Sequence, residues 1–118
     1  MTQVLKKSKN LQILISTKGK KDLSFLDKMF KNCNPMDYSI IVVDQSESEK
    51  DLSAISEKFD IKYYNIQANG LSNSRNFAIS KSSSAICLLC DDDVIYEKDF
   101  YKIIINSFDQ NDSDVITY

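Results

Sequence analysis

Apolar residues recur along this chain with two periods in turn, the short period of strands and the longer period of helices. Leu11 to Ser16 reads as a strand. Asp22 to Asn32 follows as a helix, with Asp22 as N-cap and Leu23, Leu26, Met29 and Phe30 on one face. Asn34 and Pro35 stop it. Ser39 to Asp44 is a run of β-branched residues, the pattern of a strand buried on both faces. Ser48, with Asp51 three residues on, predicts a second helix carrying Leu52, Ile55 and Phe59. Ile61 to Asn65 is a weaker strand. Gly70 then opens a helix running to about Lys81, and Ala85 to Cys90 is another buried strand. Glu97 to Phe108 predicts a helix whose first turn holds Glu97 and Asp99, where the helix dipole favours acids. Val115 to Tyr118 reads as a last strand, and residues 1–10 as a loosely ordered lead-in.

Strands alternating with helices predict one α/β domain over residues 1–118, a Rossmann-like, mostly parallel sheet with helices on both faces. Ligands of such sheets bind beyond the carboxyl ends of the strands, where the strand order switches direction. The segments to inspect are therefore Thr17 to Lys21, Asp44 to Ser46, Gly70 to Asn76 and Asp91 to Val94.

Composition narrows the chemistry. A net charge of −2 argues against nucleic-acid binding. No apolar run nears the roughly 20 residues that span a bilayer, and the lysine-rich start has no apolar leader, which points to the cytoplasm. Cys87 and Cys90 have the C-x-x-C spacing of a zinc site, but alternation in a strand sends them to opposite faces. With no histidine in the chain, Ser-His-Asp and Cys-His catalysis are excluded. With only Gly19 and Gly70, so is a G-x-G-x-x-G dinucleotide turn.

Asp91, Asp92 and Asp93 end a strand at the edge where ligands bind. Adjacent carboxylates repel, and a cation offsets the repulsion; ligands that are all oxygen suit Mg²⁺ or Mn²⁺. Arg75 is the single arginine beside fourteen lysines. Its planar fork recognises phosphate bidentately, as lysine cannot, and it sits near a helix N-terminus, where free N–H groups favour anions. Thr17 and Asp44 end the first two strands. Asp44 also suits a turn or a cap.

Ile13-Leu14-Ile15-Ser16-Thr17, Ile40-Ile41-Val42-Val43-Asp44, Gly70-Leu71-Ser72-Asn73-Ser74-Arg75-Asn76 and Leu88-Leu89-Cys90-Asp91-Asp92-Asp93, in that order, resemble the family 2 glycosyltransferases of the GT-A fold. The resemblance runs from residue 11 to 118. It implies inverting transfer of a sugar from a nucleoside diphosphate sugar, most commonly a UDP-sugar, in bacterial polysaccharide or glycoconjugate synthesis. It places Thr17 and Asp44 at the base and Arg75 near the base and diphosphate. Asp91 to Asp93 become the D-x-D element, with Asp91 and Asp92 on the nucleotide side and Asp93, together with Asp91, on the metal. Ser16-Thr17-Lys18-Gly19 departs from the family's Pro-Thr-Tyr-Asn, and Asp44-Gln45-Ser46 from its Asp-Asp-Gly-Ser. Family members run further, and their second half carries the acceptor site and general base. The expectation is thus a truncated, donor-binding part, lying at the inner face of the membrane in a full-length context and taking an unidentified acceptor. Two other readings are a receiver-like metal-binding domain and a non-catalytic interaction module that self-associates through an exposed sheet edge. The end of the first strand, Ser16-Thr17-Lys18, lacks the acids of the receiver type.

Overall fold

Four parallel strands lie in the order β3-β2-β1-β4: β1 (Leu11–Thr17), β2 (Ser39–Asp44), β3 (Asp60–Asn65) and β4 (Ile86–Asp91). The structure is a computed structural model that describes residues 11–110. The expected last strand, Val115 to Tyr118, and the lead-in at residues 1–10 lie outside them. β1 and β2 are the central strands, buried on both faces, which is why their sequences are nearly continuous apolar runs.

The two sheet faces are covered separately. Leu11, Ile13, Ile15, Ile40 and Val42 pack with α1 (Phe25–Met29) and α3 (Phe100–Gln110), through Leu26, Met29, Phe100 and Ile104. Leu14, Ile41 and Val43 point the other way, onto Ala78 of α2 (Leu71–Lys81). Odd and even positions of one strand thus serve two cores, and the expectation of helices on both faces holds. Cys87 and Cys90 obey the same alternation: Cys87 packs on the α2 side and Cys90 on the other.

Three predicted helices differ in extent, each for a local reason. α1 covers only Phe25–Met29, because the Asp22 carboxylate accepts from the Ser24 backbone N–H at 3.0 Å and holds residues 22–24 in a turn. The segment expected as a helix from Ser48 to Phe59 is a series of turns. There Asp51 accepts from both the backbone N–H and the hydroxyl of Ser53, while the Lys50 N–H donates to the Tyr63 hydroxyl at 3.0 Å. Ile55 and Phe59 are still buried, so the stripe was core without being helix. α3 starts at Phe100 rather than Glu97, because Asp99 has φ +60°, a left-handed conformation that no helix can pass through. Glu97 and Asp99 therefore lie ahead of its first turn. β4, expected to be fully buried, is half-exposed, since among the described residues it pairs on one side only. Leu88, Leu89, Val94, Ile95, Phe100 and Ile103 border an apolar groove of about 330 Å³ along it.

Candidate functional site at the strand ends

Strand order reverses between β1 and β4, since β2 and β3 extend the sheet on one side of β1 and β4 adds on the other. The register sets Thr17 beside Asp44 and Ser16 beside Asp91, so the carboxyl ends of β1, β2 and β4 come level. Four of the sequence-predicted residues meet at the switch point. The Thr17 hydroxyl donates to Oδ2 of Asp92 at 2.7 Å across 75 residues of sequence. Lys20 Nζ lies 3.9 Å from Oδ1 of the same carboxylate. Arg75 sits 3.8 Å from Asp91.

Arg75 reaches this position through its neighbour. Ser74 is fully buried, and its hydroxyl donates to that of Ser16 at 2.8 Å, pinning the first turns of α2 to the end of β1. The Arg75 Nε is buried with no hydrogen-bond partner. A buried donor left unpaired is costly, while the outer end of the same guanidinium is half-exposed and is what an entering anion would meet. α2 itself opens at Gly70, whose φ of +92° is open to glycine and strained for other residues.

The acidic triplet divides. β4 ends at Asp91 and a turn begins at Asp92, so strand alternation does not carry through the three acids. Asp92 is taken up by Thr17 and Lys20, whereas Asp91 is exposed and Asp93 makes no hydrogen bond or ion pair among the described residues. Two accessible carboxylates fit Mg²⁺ or Mn²⁺, which commonly takes one or two and completes its shell with phosphate and water. Among the described residues no three of His, Cys, Asp and Glu converge on one point, so phosphate and water would have to supply the rest.

Asp44 stands apart from that cluster. It is 1% exposed; its Oδ1 accepts from the Ser46 N–H at 2.9 Å, and its Oδ2 from the Tyr63 hydroxyl at 2.5 Å and Lys50 Nζ at 3.2 Å. Burial pushes its pKa up, but the hydrogen bonds from Ser46, Tyr63 and Lys50 together outweigh burial and hold it below the ordinary value. A base would have to displace one of these donors to touch it.

A model of the family described as Glycosyl transferase family 2 matches residues 13–118. The chain belongs to that family. The crystal structure of S. aureus TarS shares the fold, with a TM-score of 0.65 and 21% sequence identity over 90% of this chain and 20% of that one. This family 2 chain therefore spans about a fifth of the length of that structure. No curated protein matches it.

Within the family 2 fold, several residues that the sequence left unassigned shape the site. Ser46 Oγ accepts from the Gly19 N–H at 2.9 Å and so ties the lysine-rich turn to the end of β2. Asn65 donates to the backbone oxygens of Asp44 and Ser46 at 3.1 and 2.9 Å. The Asp-x-Ser spacing is a readable turn signal for Ser46. Nothing in sequence order marks Lys50 and Tyr63 as partners of Asp44, because a loop must fold back to bring them there.

Proposed function

We propose that this chain is the donor-binding part of a glycosyltransferase that transfers sugar with inversion from a nucleoside diphosphate sugar, a UDP-sugar. The pathway class would be bacterial polysaccharide or glycoconjugate synthesis. The observation that carries the reading is the half-exposed Arg75 guanidinium, 3.8 Å from Asp91 at the β1/β4 switch point. It is a donor in want of an anion beside acids in want of a cation, and a metal diphosphate supplies both. In this reading Arg75 faces the diphosphate, Asp91 the ribose and metal, and Asp93 the metal. Asp92 and Thr17 hold the nucleotide side of the cleft, and Asp44 positions the turn that borders the base. Asp91 and Asp93 would hold Mg²⁺ or Mn²⁺, which would supply neutralisation of the charge on a departing diphosphate. The general base and the acceptor are assigned to no residue of this chain. Among the described residues no helix is long and apolar enough to cross a membrane. Cys33, Cys87 and Cys90 are free thiols, which accords with a cytoplasmic setting.

The test is thermal unfolding with UDP in the presence and absence of Mn²⁺. Stabilisation follows RT ln(1 + [L]/Kd), about 2.7 kcal/mol at a hundredfold excess over Kd, and should require the metal. Arg75→Lys, which keeps the charge and loses the fork, should need more UDP for the same shift. If a folded protein is stabilised by no nucleoside diphosphate, the reading is wrong.

A further inference from the structure

β4 gives way at Asp91 to a short loop, and Tyr96 closes it. The Tyr96 hydroxyl donates to Sγ of Cys90 at 2.7 Å, tying the end of the loop back to the residue that precedes the acidic triplet. That end is also docked on the chain leaving α1. The Tyr96 N–H donates to the Met29 oxygen at 2.9 Å, and the Tyr96 oxygen accepts from Asn32 Nδ2 at 3.3 Å. The Tyr96 ring stacks on Phe100, with centroids 4.2 Å apart and planes 17° from parallel. Asp93 lies midway between Cys90 and Tyr96. Asp92 is held by Thr17, but no hydrogen bond or ion pair restrains the Asp93 carboxylate among the described residues. Its place is therefore set by the loop backbone, whose two ends the Tyr96–Cys90 bond joins.

We propose that Tyr96 is a positioning residue, whose hydroxyl acts through Cys90 to hold the loop so that Asp91 and Asp93 converge on the divalent cation of a nucleoside diphosphate. The inference rests on the donor-binding reading above and concerns what keeps its acids in place. Packing alone does not call for the hydroxyl. Tyr96 is 6% exposed and lies against Phe30 and Phe100, where phenylalanine would fill the same space with no polar group to bury. A thiol sulfur is a weak acceptor, so the bond adds little to stability. What it adds is direction. With the ring fixed by stacking and the hydroxyl committed to one sulfur, residues 90 and 96 are kept at one separation, and two carboxylates that share a cation need their supports held in that way.

Calorimetric titration of the whole chain with UDP, repeated over a series of Mn²⁺ concentrations, tests this. Tyr96→Phe keeps the ring and removes the bond. It should raise the Mn²⁺ concentration that gives half-maximal UDP binding roughly tenfold, with affinity returning to that of the wild type at saturating Mn²⁺. The thermal midpoint of the unliganded protein should stay close to that of the wild type. Cys90→Ala removes the same bond from its other end and should give a similar shift. The double variant should be no worse than either single one, because only one interaction is there to lose. A role in packing alone would weaken UDP binding equally at every Mn²⁺ concentration, or make the two losses multiply, and either result would overturn the inference. Should Tyr96→Phe fail to fold, Cys90→Ala decides by the same titration. Variants that match a wild type binding UDP with Mn²⁺ would overturn the inference and leave donor binding intact. A wild type that binds no UDP at any Mn²⁺ concentration would overturn both.

Discussion

Removing the Lys50 ammonium would leave the Asp44 carboxylate, 1% exposed, with two of its three donors. Lys50→Met should therefore destabilise the fold by about 3 kcal/mol at neutral pH, the scale for breaking a buried pair by deleting one partner. Urea denaturation measures it. The pH dependence follows from the direction of the Asp44 shift. Its folded pKa lies below the unfolded value of roughly 3.9, so its stabilisation is complete above that value. It is lost as pH falls through the lower, folded value. The gap between wild type and Lys50→Met should accordingly close in acid; a gap that is equally wide there would mean that Lys50 acts by packing alone. The same residue shows where sequence reading stops. Asp44 at a strand end was legible as a candidate, but its enclosure by Lys50 and Tyr63, 6 and 19 residues on, was not.

At the end of β4, the geometry of one turn ranks three identical residues. Were strand alternation to continue through the triplet, Asp91 and Asp93 would share one side. Alternation in fact ends at Asp91, and the same pair is left accessible because Asp92 is held by Thr17 and Lys20. In titrations of UDP with Mn²⁺ present, Asp93→Asn should weaken binding by more than about a hundredfold, beyond the roughly ten- to hundredfold loss commonly seen for outer partners of a metal. Asp91→Asn should weaken it less. Asp92→Asn should leave binding nearly intact and lower stability by about 1 kcal/mol, through loss of its charge-assisted hydrogen bond with Thr17. If Asp92→Asn alone abolishes binding, the division of roles within the triplet is wrong. The other elements teach a related lesson. Residues 48–59 and 97–99 carry apolar spacing or helix-dipole signals that suit a helix. Their backbone is diverted by the Asp51 turn, the Lys50–Tyr63 bond and the left-handed Asp99.

Across the whole molecule, the family match over residues 13–118 is set against a TarS structure of which this chain covers 20%. We expect residues 1–118 by themselves to bind UDP with Mn²⁺ yet release no UDP from UDP-glucose or UDP-N-acetylglucosamine in the presence of sugar acceptors. A coupled assay for UDP measures this, and turnover would show that base and acceptor site are contained in these residues. The sequence by itself determined the four strands, their parallel arrangement, the two-sided core and the strand ends where the candidate residues lie. Those features follow from which positions are apolar, and burial is written into local periodicity. The tertiary structure alone decided that Asp92 turns to Thr17, that Asp44 is enclosed, that the Gln45 amide is tied to the loop that opens α2, and that the 48–59 stripe packs without forming a helix. Each of these depends on a hydrogen-bond partner brought close by folding, and periodicity records whether a residue is buried but not what it is bonded to.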